Sequence, residues 1–143
     1  MNNTNITSIS LGLQKKSFCI DGDESKIIYL DPSDLGIMER TKVFAEKTDE
    51  LFKGLTDLEE DKVIEKLKES DSVLRGYVNE LFDYDVCSVC VPSGTLFDAI
   101  GGVFKFEIIV NGLSKVYSDT ISNEMQKVTD RVSKHTKKYT KKK

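Results

Sequence analysis

The last third of the chain carries apolar residues at the spacing of an α-helix. They recur every three or four positions from Phe106 to Val132, about seven turns, and they keep this phase across Gly112. The start of the segment, VFKFEIIV before the turn dipeptide Asn111-Gly112, is also typical of a strand. Because the helical pattern passes Gly112 unbroken, the sequence predicts one long amphipathic helix near 104–134.

A second helix is predicted near 32–53. Asp31 is a candidate cap, because its carboxylate can accept hydrogen bonds from the free amide groups of a first turn, and Pro32 suits the first helical position. Gly54 is a natural end. Between them apolar pairs recur every seven residues: Ile37/Met38, Phe44/Ala45 and Leu51/Phe52. Phe44, Leu51 and Phe52 are expected to be buried in the core; the alternative is that part of this stripe faces a partner.

A third helix is predicted near 57–82. Thr56 and Glu59 fit a capping box, in which each side chain satisfies an amide group at the other position. The apolar positions that follow fall on one helical face, and charged residues fill the remainder. The short gap at Gly54–Leu55 predicts that this helix packs antiparallel to the preceding one.

The N-terminal part predicts a β-hairpin at about 17–30. Phe18 and Ile20 alternate with smaller or polar neighbours, Asp21-Gly22 is a turn dipeptide, and Ile27–Leu30 is rich in strand-forming residues. A lone hairpin is marginal in water, so this one is expected to pack on the helices. The predicted fold class is therefore mainly α with a small N-terminal β-hairpin (α+β).

The segment 83–102 is the least regular in the chain. Val86, Val89 and Val91 indicate a buried apolar stretch, and Pro92-Ser93-Gly94 interrupts it. A short helical turn is predicted from Leu96 to Ile100, after which Gly101-Gly102 breaks the chain again.

The charge is divided unevenly along the chain. From Lys127 onward there are eight basic residues and one acid, a charge of +7, so the first 126 residues carry −10 of the total of −3. The chain ends in SKHTKKYTKKK, which has little apolar surface to bury. The sequence predicts one domain over 1–134 and a disordered basic tail over 135–143. Since the basic residues lie in a tail instead of lining a folded face, nucleic-acid binding is not expected.

The cysteines are the only residues with a named chemical motif, Cys87-Ser-Val-Cys90. A zinc site would need every cysteine and the single histidine, Cys19 and His135 included, to converge. A redox pair is the other possibility, but the valines around the motif favour plain packing of small side chains. We therefore expect no metal and no cofactor.

No residue pattern predicts an active site. The acids of DGDES lack the later glycine and glutamate of a calcium loop, and GTLFDAIGG lacks the lysine of a phosphate loop. The long helices instead carry more apolar surface than the core of a small chain needs, which suggests binding to another protein or self-association. The candidate partner-binding residues lie on the helical stripes and the basic end: Ile37, Phe44, Leu51, Phe52, Val128, Val132, Lys137, Lys138 and Tyr139.

The location expected for the chain is the cytoplasm. No apolar run approaches the roughly 20 residues of a membrane span, so no membrane association is expected. MNNTNITSIS has neither the basic nor the apolar region of a secretory signal, and free thiols suit a reducing compartment.

Four stretches in this order resemble the tail assembly chaperones of long-tailed bacteriophages and prophages of Gram-positive bacteria. They are the hairpin SFCIDGDESKIIYL, the segment DPSDLGIMERTKVFAEKTDELFKGL, the middle LRGYVNELFDYDVCSVCVPSG, and the long helix that runs into RVSKHTKKYTKKK. Together they span about residues 17–143. The likeness departs from the family in the middle, where its Phe-Gly element is replaced by Phe82-Asp83.

The resemblance implies a non-enzymatic role. Proteins of this family coat the long helical tape-measure protein, deliver tail-tube subunits to it, and leave before the virion is complete. The resemblance therefore implies these two proteins as partners, the host bacterial cytoplasm as the location, and a longer form produced by ribosomal frameshifting near the terminal lysines. Two other classes remain open: a virion component such as a tail-completion or connector protein, and a nucleic-acid-binding accessory protein that uses the basic tail.

Overall fold

The computed structural model describes the backbone of residues 5–11 and 15–140, with side chains as far as Lys134. It is mostly helical with a small antiparallel hairpin near the N-terminus, so the predicted α+β class is confirmed. The elements in chain order are β1 Lys16–Ile20, β2 Asp23–Leu30, α1 Ile37–Lys53, α2 Glu60–Phe82, α3 Val86–Cys90, β3 Ala99–Ile100, β4 Val103–Phe104 and α4 Lys105–Thr140.

The N-terminal hairpin forms where the sequence predicted it. β1 and β2 pair antiparallel, and the turn residues Asp21 (φ 52°) and Gly22 (φ 71°) both adopt the left-handed conformation that a tight two-residue hairpin turn requires. Ile28 and Leu30 are buried against the helices, with β2 next to α3. The hairpin is thus stabilised by packing, as expected of an isolated pair of strands.

Helix α1 begins later than predicted. Asp31 accepts hydrogen bonds from the amide and hydroxyl of Ser33, and Asp34 accepts one from the amide of Gly36. Each aspartate therefore closes a local turn instead of capping a helix, and the first helical residue is Ile37. The predicted cap at Asp31 and the start at residue 32 were wrong, whereas the end before Gly54 is confirmed.

Helix α2 also lacks its predicted cap. The Thr56 hydroxyl donates to the carbonyl of Lys53, so it satisfies the end of α1, and Glu59 precedes α2 without a side-chain cap. The capping-box prediction was therefore wrong. The two helices do pack against each other with a short connection, and the Arg40 guanidinium near the start of α1 donates to the carbonyl of Leu81 near the end of α2. This contact gives the antiparallel arrangement that was predicted.

The segment after α2 differs most from expectation. The valine-rich stretch is the short helix α3, and its first turn is capped by Asp85, which accepts from the amide and hydroxyl of Ser88. The predicted helical turn from Leu96 to Ile100 was wrong, because Ala99–Ile100 is a strand. It pairs with β4 across Gly101-Gly102, both of which have positive φ.

A polar clamp ties this irregular segment to α2. Asp71 accepts from the Arg75 guanidinium at 2.9 Å and from the amide of Leu96 at 2.8 Å. Arg75 in turn donates to the carbonyls of Val91 and Gly94. The clamp supplies hydrogen-bond partners to backbone groups that no helix or sheet pairs, which explains how a loop can lie against the core.

Helix α4 is one continuous helix, as the apolar spacing predicted. It begins at Lys105 and passes Gly112, so of the alternative strand VFKFEIIV only the first two residues, Val103–Phe104, form a strand, which is β4. It continues to Thr140, past the predicted helix end near 134 and into the predicted basic tail. Lysine is a good helix former, and extending an existing helix avoids the cost of nucleation. Residues 141–143 lie outside the described part of the chain.

The core lies between β2, α2, α3 and the first half of α4. It is built from residues of these elements, of the start of α1 and of the loop after α3: Ile28, Leu30, Ile37, Leu74, Val78, Leu81, Phe82, Val86, Cys87, Val91, Leu96, Phe97, Phe106, Leu113 and Tyr117. Phe44, Leu51 and Phe52 were expected to be buried, but they are half-buried and pack on the edge of this core. Their helix covers the core from one side, so one flank of its stripe remains accessible.

Candidate functional site

The second half of α4 extends beyond the core. Every side chain from Ser122 to Lys134 is exposed, although the helical backbone continues to Thr140. At 1.5 Å per residue, the length from residue 122 to residue 140 is roughly 28 Å. A solvated helix of this length gains nothing from core packing, so its apolar side chains require another explanation.

The exposed half carries a regular row of apolar side chains, which we call the α4 stripe: Ile121, Met125, Val128 and Val132. Met125, Val128 and Val132 are 44%, 46% and 58% exposed, and Ile121 is half-buried. The successive spacings of four, three and four residues are those of a coiled-coil seam. The α4 stripe therefore has the pattern of a surface that packs against another helix.

The α4 stripe leads into an open groove between the start of α1 and the middle of α4. We call it the α1–α4 groove; its volume is about 500 Å³. Its lining combines apolar and small polar side chains: Ile37, Met38, Thr41, Lys42, Ser114, Tyr117, Ser118, Ile121 and Ser122. Ile37 and Tyr117 are buried, whereas Met38 on the rim is 64% exposed. Ile121 belongs to both surfaces and makes them continuous.

The floor of the groove is apolar in character even where it holds an ionisable group. Burial raises the pKa of Tyr117, with opposing influence from the nearby Arg40 guanidinium. Its ring also lies 6.0 Å from that of Phe82. Tyr117 thus remains neutral at physiological pH and contributes ring surface to the groove, which suits an apolar ligand segment.

The predicted partner-binding residues fall in different places. Ile37 lies in the groove and Val128 and Val132 lie on the α4 stripe, so these three belong to one surface. Leu51 and Phe52 pack on the core edge instead and do not line the groove. The side chains of the remaining candidates, Lys137, Lys138 and Tyr139, lie outside the described residues.

Phe44 belongs to a separate and smaller cavity between α1 and α2. This cavity has a volume of about 200 Å³, and its walls include Val43, Tyr77 and Leu81. The Lys47 ammonium lies 5.2 Å from the centre of the Tyr77 ring and 3.1 Å from a carboxylate oxygen of Glu80. These contacts are those of a helix–helix seam, and they explain the packing of α1 on α2 without a ligand.

Four apolar or aromatic side chains of this surface were missed from the sequence, Met38, Tyr117, Ile121 and Met125, as were the polar side chains that line the groove. Ile121 and Met125 were placed on the long helical stripe but were not singled out as binding residues. The change from buried to exposed positions occurs within one uninterrupted helix, between Tyr117 and Ser122. Spacing alone does not reveal that change, because a buried stripe and an exposed one have the same period.

The three cysteines differ in their exposure. Burial raises the pKa of the Cys87 thiol to about 12 and that of Cys90 to about 11, so both stay protonated near neutral pH. Cys19 is exposed on β1. Within residues 5–11 and 15–134, no three His, Cys, Asp or Glu side chains are placed to hold a metal ion, and the His135 side chain lies outside that range.

No helix in the described part of the chain combines the length and the apolar character needed to cross a membrane. Comparison of the chain with models of protein families, with curated proteins and with solved structures finds no match.

Proposed function

We propose that this chain is a non-enzymatic assembly chaperone for a bacteriophage tail, which binds a helical segment of the tape-measure protein and recruits tail-tube subunits to it. The observation that carries the proposal is the α4 stripe, a coiled-coil-type row of exposed apolar side chains on a projecting helix. The identity of the partners rests on the resemblance of the four sequence stretches to tail assembly chaperones.

The surface suits a long amphipathic helix better than a globular ligand. Met125, Val128 and Val132 present about two turns of apolar surface with charged or polar residues on both sides. A partner helix with the same period can place its side chains between them, and the α1–α4 groove can accept a further apolar side chain beside Ile121. Covering this surface on a tape-measure helix would keep both stripes out of water.

The test is co-expression of the chain with the tape-measure and tail-tube proteins, followed by affinity capture of the complex. Val128→Asp places a charge on the α4 stripe, and we expect it to reduce tape-measure binding at least tenfold. Asn123→Asp adds the same charge on the exposed opposite face and serves as the matched control. Unchanged capture by Val128→Asp would contradict the proposed surface.

The same complexes distinguish the other classes of function. A chaperone is captured with the assembling tail but is absent from purified particles, whereas a tail-completion or connector protein remains in them. Binding to RNA or DNA that weakens steeply with salt would favour the nucleic-acid-binding class, because phosphate contacts release counterions.

A further inference from the structure

The residues that flank the α4 stripe carry opposite charges at one heptad interval. Glu124 precedes Met125 and Arg131 precedes Val132, so both occupy the same flanking position in successive heptads. Glu124 is exposed, and its ion pair with the Lys127 ammonium one turn away is long, at 3.7 Å. On an isolated helix, this arrangement leaves an acid and a base on one edge of an apolar seam.

We propose that the α4 stripe pairs with the α4 stripe of a second copy of this chain, and that the two helices run antiparallel. Centring the pair between Met125 and Val128 places Met125 opposite Val128 of the partner subunit and Ile121 opposite Val132 of the partner subunit. All four apolar side chains of each copy are then covered at once. The inference goes beyond the proposed function. Both contacts use the α4 stripe, so a copy that is paired in this way does not hold a tape-measure helix there at the same time.

Charge complementarity selects this direction. Glu124 and Arg131 each lie directly before a seam residue, Met125 and Val132. In an antiparallel pair, the residues at this position on one helix face those at the same position on the other helix. Glu124 therefore faces Arg131 of the partner subunit, and the twofold symmetry repeats this contact once more. In a parallel pair Glu124 would face a Thr129, and the two segments from Lys127 onward, each of charge +7, would lie side by side. The antiparallel pair separates these basic ends.

The α1–α4 groove gives room for the end of the partner helix. Ser114 and Ser118 continue the spacing of the α4 stripe toward the core, and both line the groove. Their small side chains leave open the space beside Met38, at the level that the end of an antiparallel partner helix reaches. The groove, the α4 stripe and the continuation of α4 to Thr140 are therefore accounted for by one contact.

Sedimentation equilibrium of the full chain over a wide concentration range tests the pairing. We expect a monomer–dimer equilibrium for the natural sequence and for Asn123→Asp, the control on the outer face. Val128→Asp should be monomeric at every concentration, with an unchanged circular dichroism spectrum and melting temperature at dilution, since Val128 is exposed in the single chain. A natural chain that stays monomeric at the highest concentration would overturn the inference.

Charge exchange tests the direction. Glu124→Arg and Arg131→Glu each turn two attractive contacts into repulsive ones, and we expect each variant alone to dimerise roughly tenfold more weakly. An equimolar mixture should recover the affinity, because every contact in the mixed dimer is again between opposite charges. A mixture that dimerises no better than the separate variants would exclude the antiparallel pair, and this result is independent of tape-measure binding.

Discussion

Phe52 joins three other phenylalanines at the edge of the core. Its ring centre lies 6.0–6.1 Å from those of Phe97, Phe104 and Phe106, the last two stacked and the first edge-on. Aromatic pairs at such distances stabilise a fold beyond the area that they bury. The sequence stripe identified Phe52 as a packing residue, but it did not identify its partners: Phe97 lies in the irregular segment 83–102, Phe104 in β4 and Phe106 in the first turn of α4.

Replacing Phe52 tests this cluster. We expect Phe52→Ala to lower the free energy of unfolding by about 3 kcal/mol, the lower end of the range for such changes, because the ring is half-buried. Ile64→Ala is the control: Ile64 is 51% exposed on α2 and should change stability by less than about 0.5 kcal/mol. Urea denaturation measures both, and equal midpoints for the two variants would contradict the packing role.

The buried thiols predict a loss of stability at alkaline pH. The pKa values of Cys87 and Cys90 are raised by burial from 9.0 to about 12 and about 11, so the unfolded chain loses these protons first. The stabilising contribution is complete below pH 9 and disappears as the pH approaches 11–12, at up to about 1.4 kcal/mol per pH unit for each thiol.

The measurement is the urea midpoint at pH 7, 9 and 10.5. Cys87→Ala removes the fully buried one of the two titrating thiols and should flatten the alkaline decline, although it lowers stability at pH 7. Cys19→Ala is the matched control, since Cys19 is exposed on β1. An alkaline decline as steep in Cys87→Ala as in the natural chain would rule out this origin.

At the scale of elements, the sequence predicted the helices and the hairpin well and their beginnings poorly. The stripes determine which segments are helical, because they reflect burial over many turns. A start depends on one side chain with several possible partners. Asp31 and Thr56 had the right chemistry for caps, yet Asp31 bonds Ser33 and Thr56 bonds the end of α1. Both side chains thus form hydrogen bonds with residues two or three positions away in the chain instead of with the amide groups of a helix start.

The short elements were unpredictable for a different reason. β3 and β4 have two residues each, and α3 has five, so none presents enough of a period to recognise. Their conformation depends on long-range contacts such as the bond from the Leu96 amide to Asp71, which are invisible in local sequence. For the same reason, only part of the candidate binding surface could be predicted from the sequence. Its residues lie on recognisable apolar stripes, but whether a residue of a stripe is exposed depends on the whole fold.

Two glycines, one inside α4 and one in the loop before β3, are expected to respond in opposite ways to replacement by alanine. Gly112 lies inside α4, and an added Cβ would meet nothing within 4 Å, so Gly112→Ala should raise the free energy of unfolding by about 0.5–1 kcal/mol. Gly94 has φ +83°, and an added Cβ would lie 2.6 Å from a carboxylate oxygen of Asp98. Gly94→Ala should therefore destabilise by more than about 1 kcal/mol.

Thermal unfolding of both variants against the natural chain measures the two effects in one series. A destabilising Gly112→Ala would show that α4 needs the small residue for a close contact or a bend. A neutral Gly94→Ala would show that the loop before β3 relaxes without cost.

At the scale of the whole molecule, the charge asymmetry of the sequence coincides with a structural division. The core and its covering helices belong to the first 126 residues, which carry −10, whereas the segment from Lys127 onward carries +7 and its described side chains are all exposed. Unlike charges at the two ends of one molecule favour contacts between copies or with acidic partners. Such contacts weaken with salt, since the charges are solvated.

Removing the residues after Lys134 separates the contribution of the basic end from that of the core. All side chains from Ser122 to Lys134 are exposed, so the core gains no packing from the helix beyond this point. At a concentration low enough to keep the chain monomeric, we expect the truncated protein to melt within about 2 °C of the full chain, because surface changes shift stability by only about 0.5 kcal/mol.

Association should respond differently. The truncated chain loses the helix end that would lie along Ser114 and Ser118 of the partner subunit, and it loses charge that attracts an acidic surface. We expect weaker dimerisation and weaker tape-measure binding, with a smaller dependence on salt for both than in the full chain. Full-length and truncated proteins are compared by melting at dilution and by sedimentation at two salt concentrations. A large fall in the melting temperature of the dilute truncated chain would instead show that residues 135–143 stabilise the folded core, and the division of the molecule into an acidic core and a basic binding helix would be wrong.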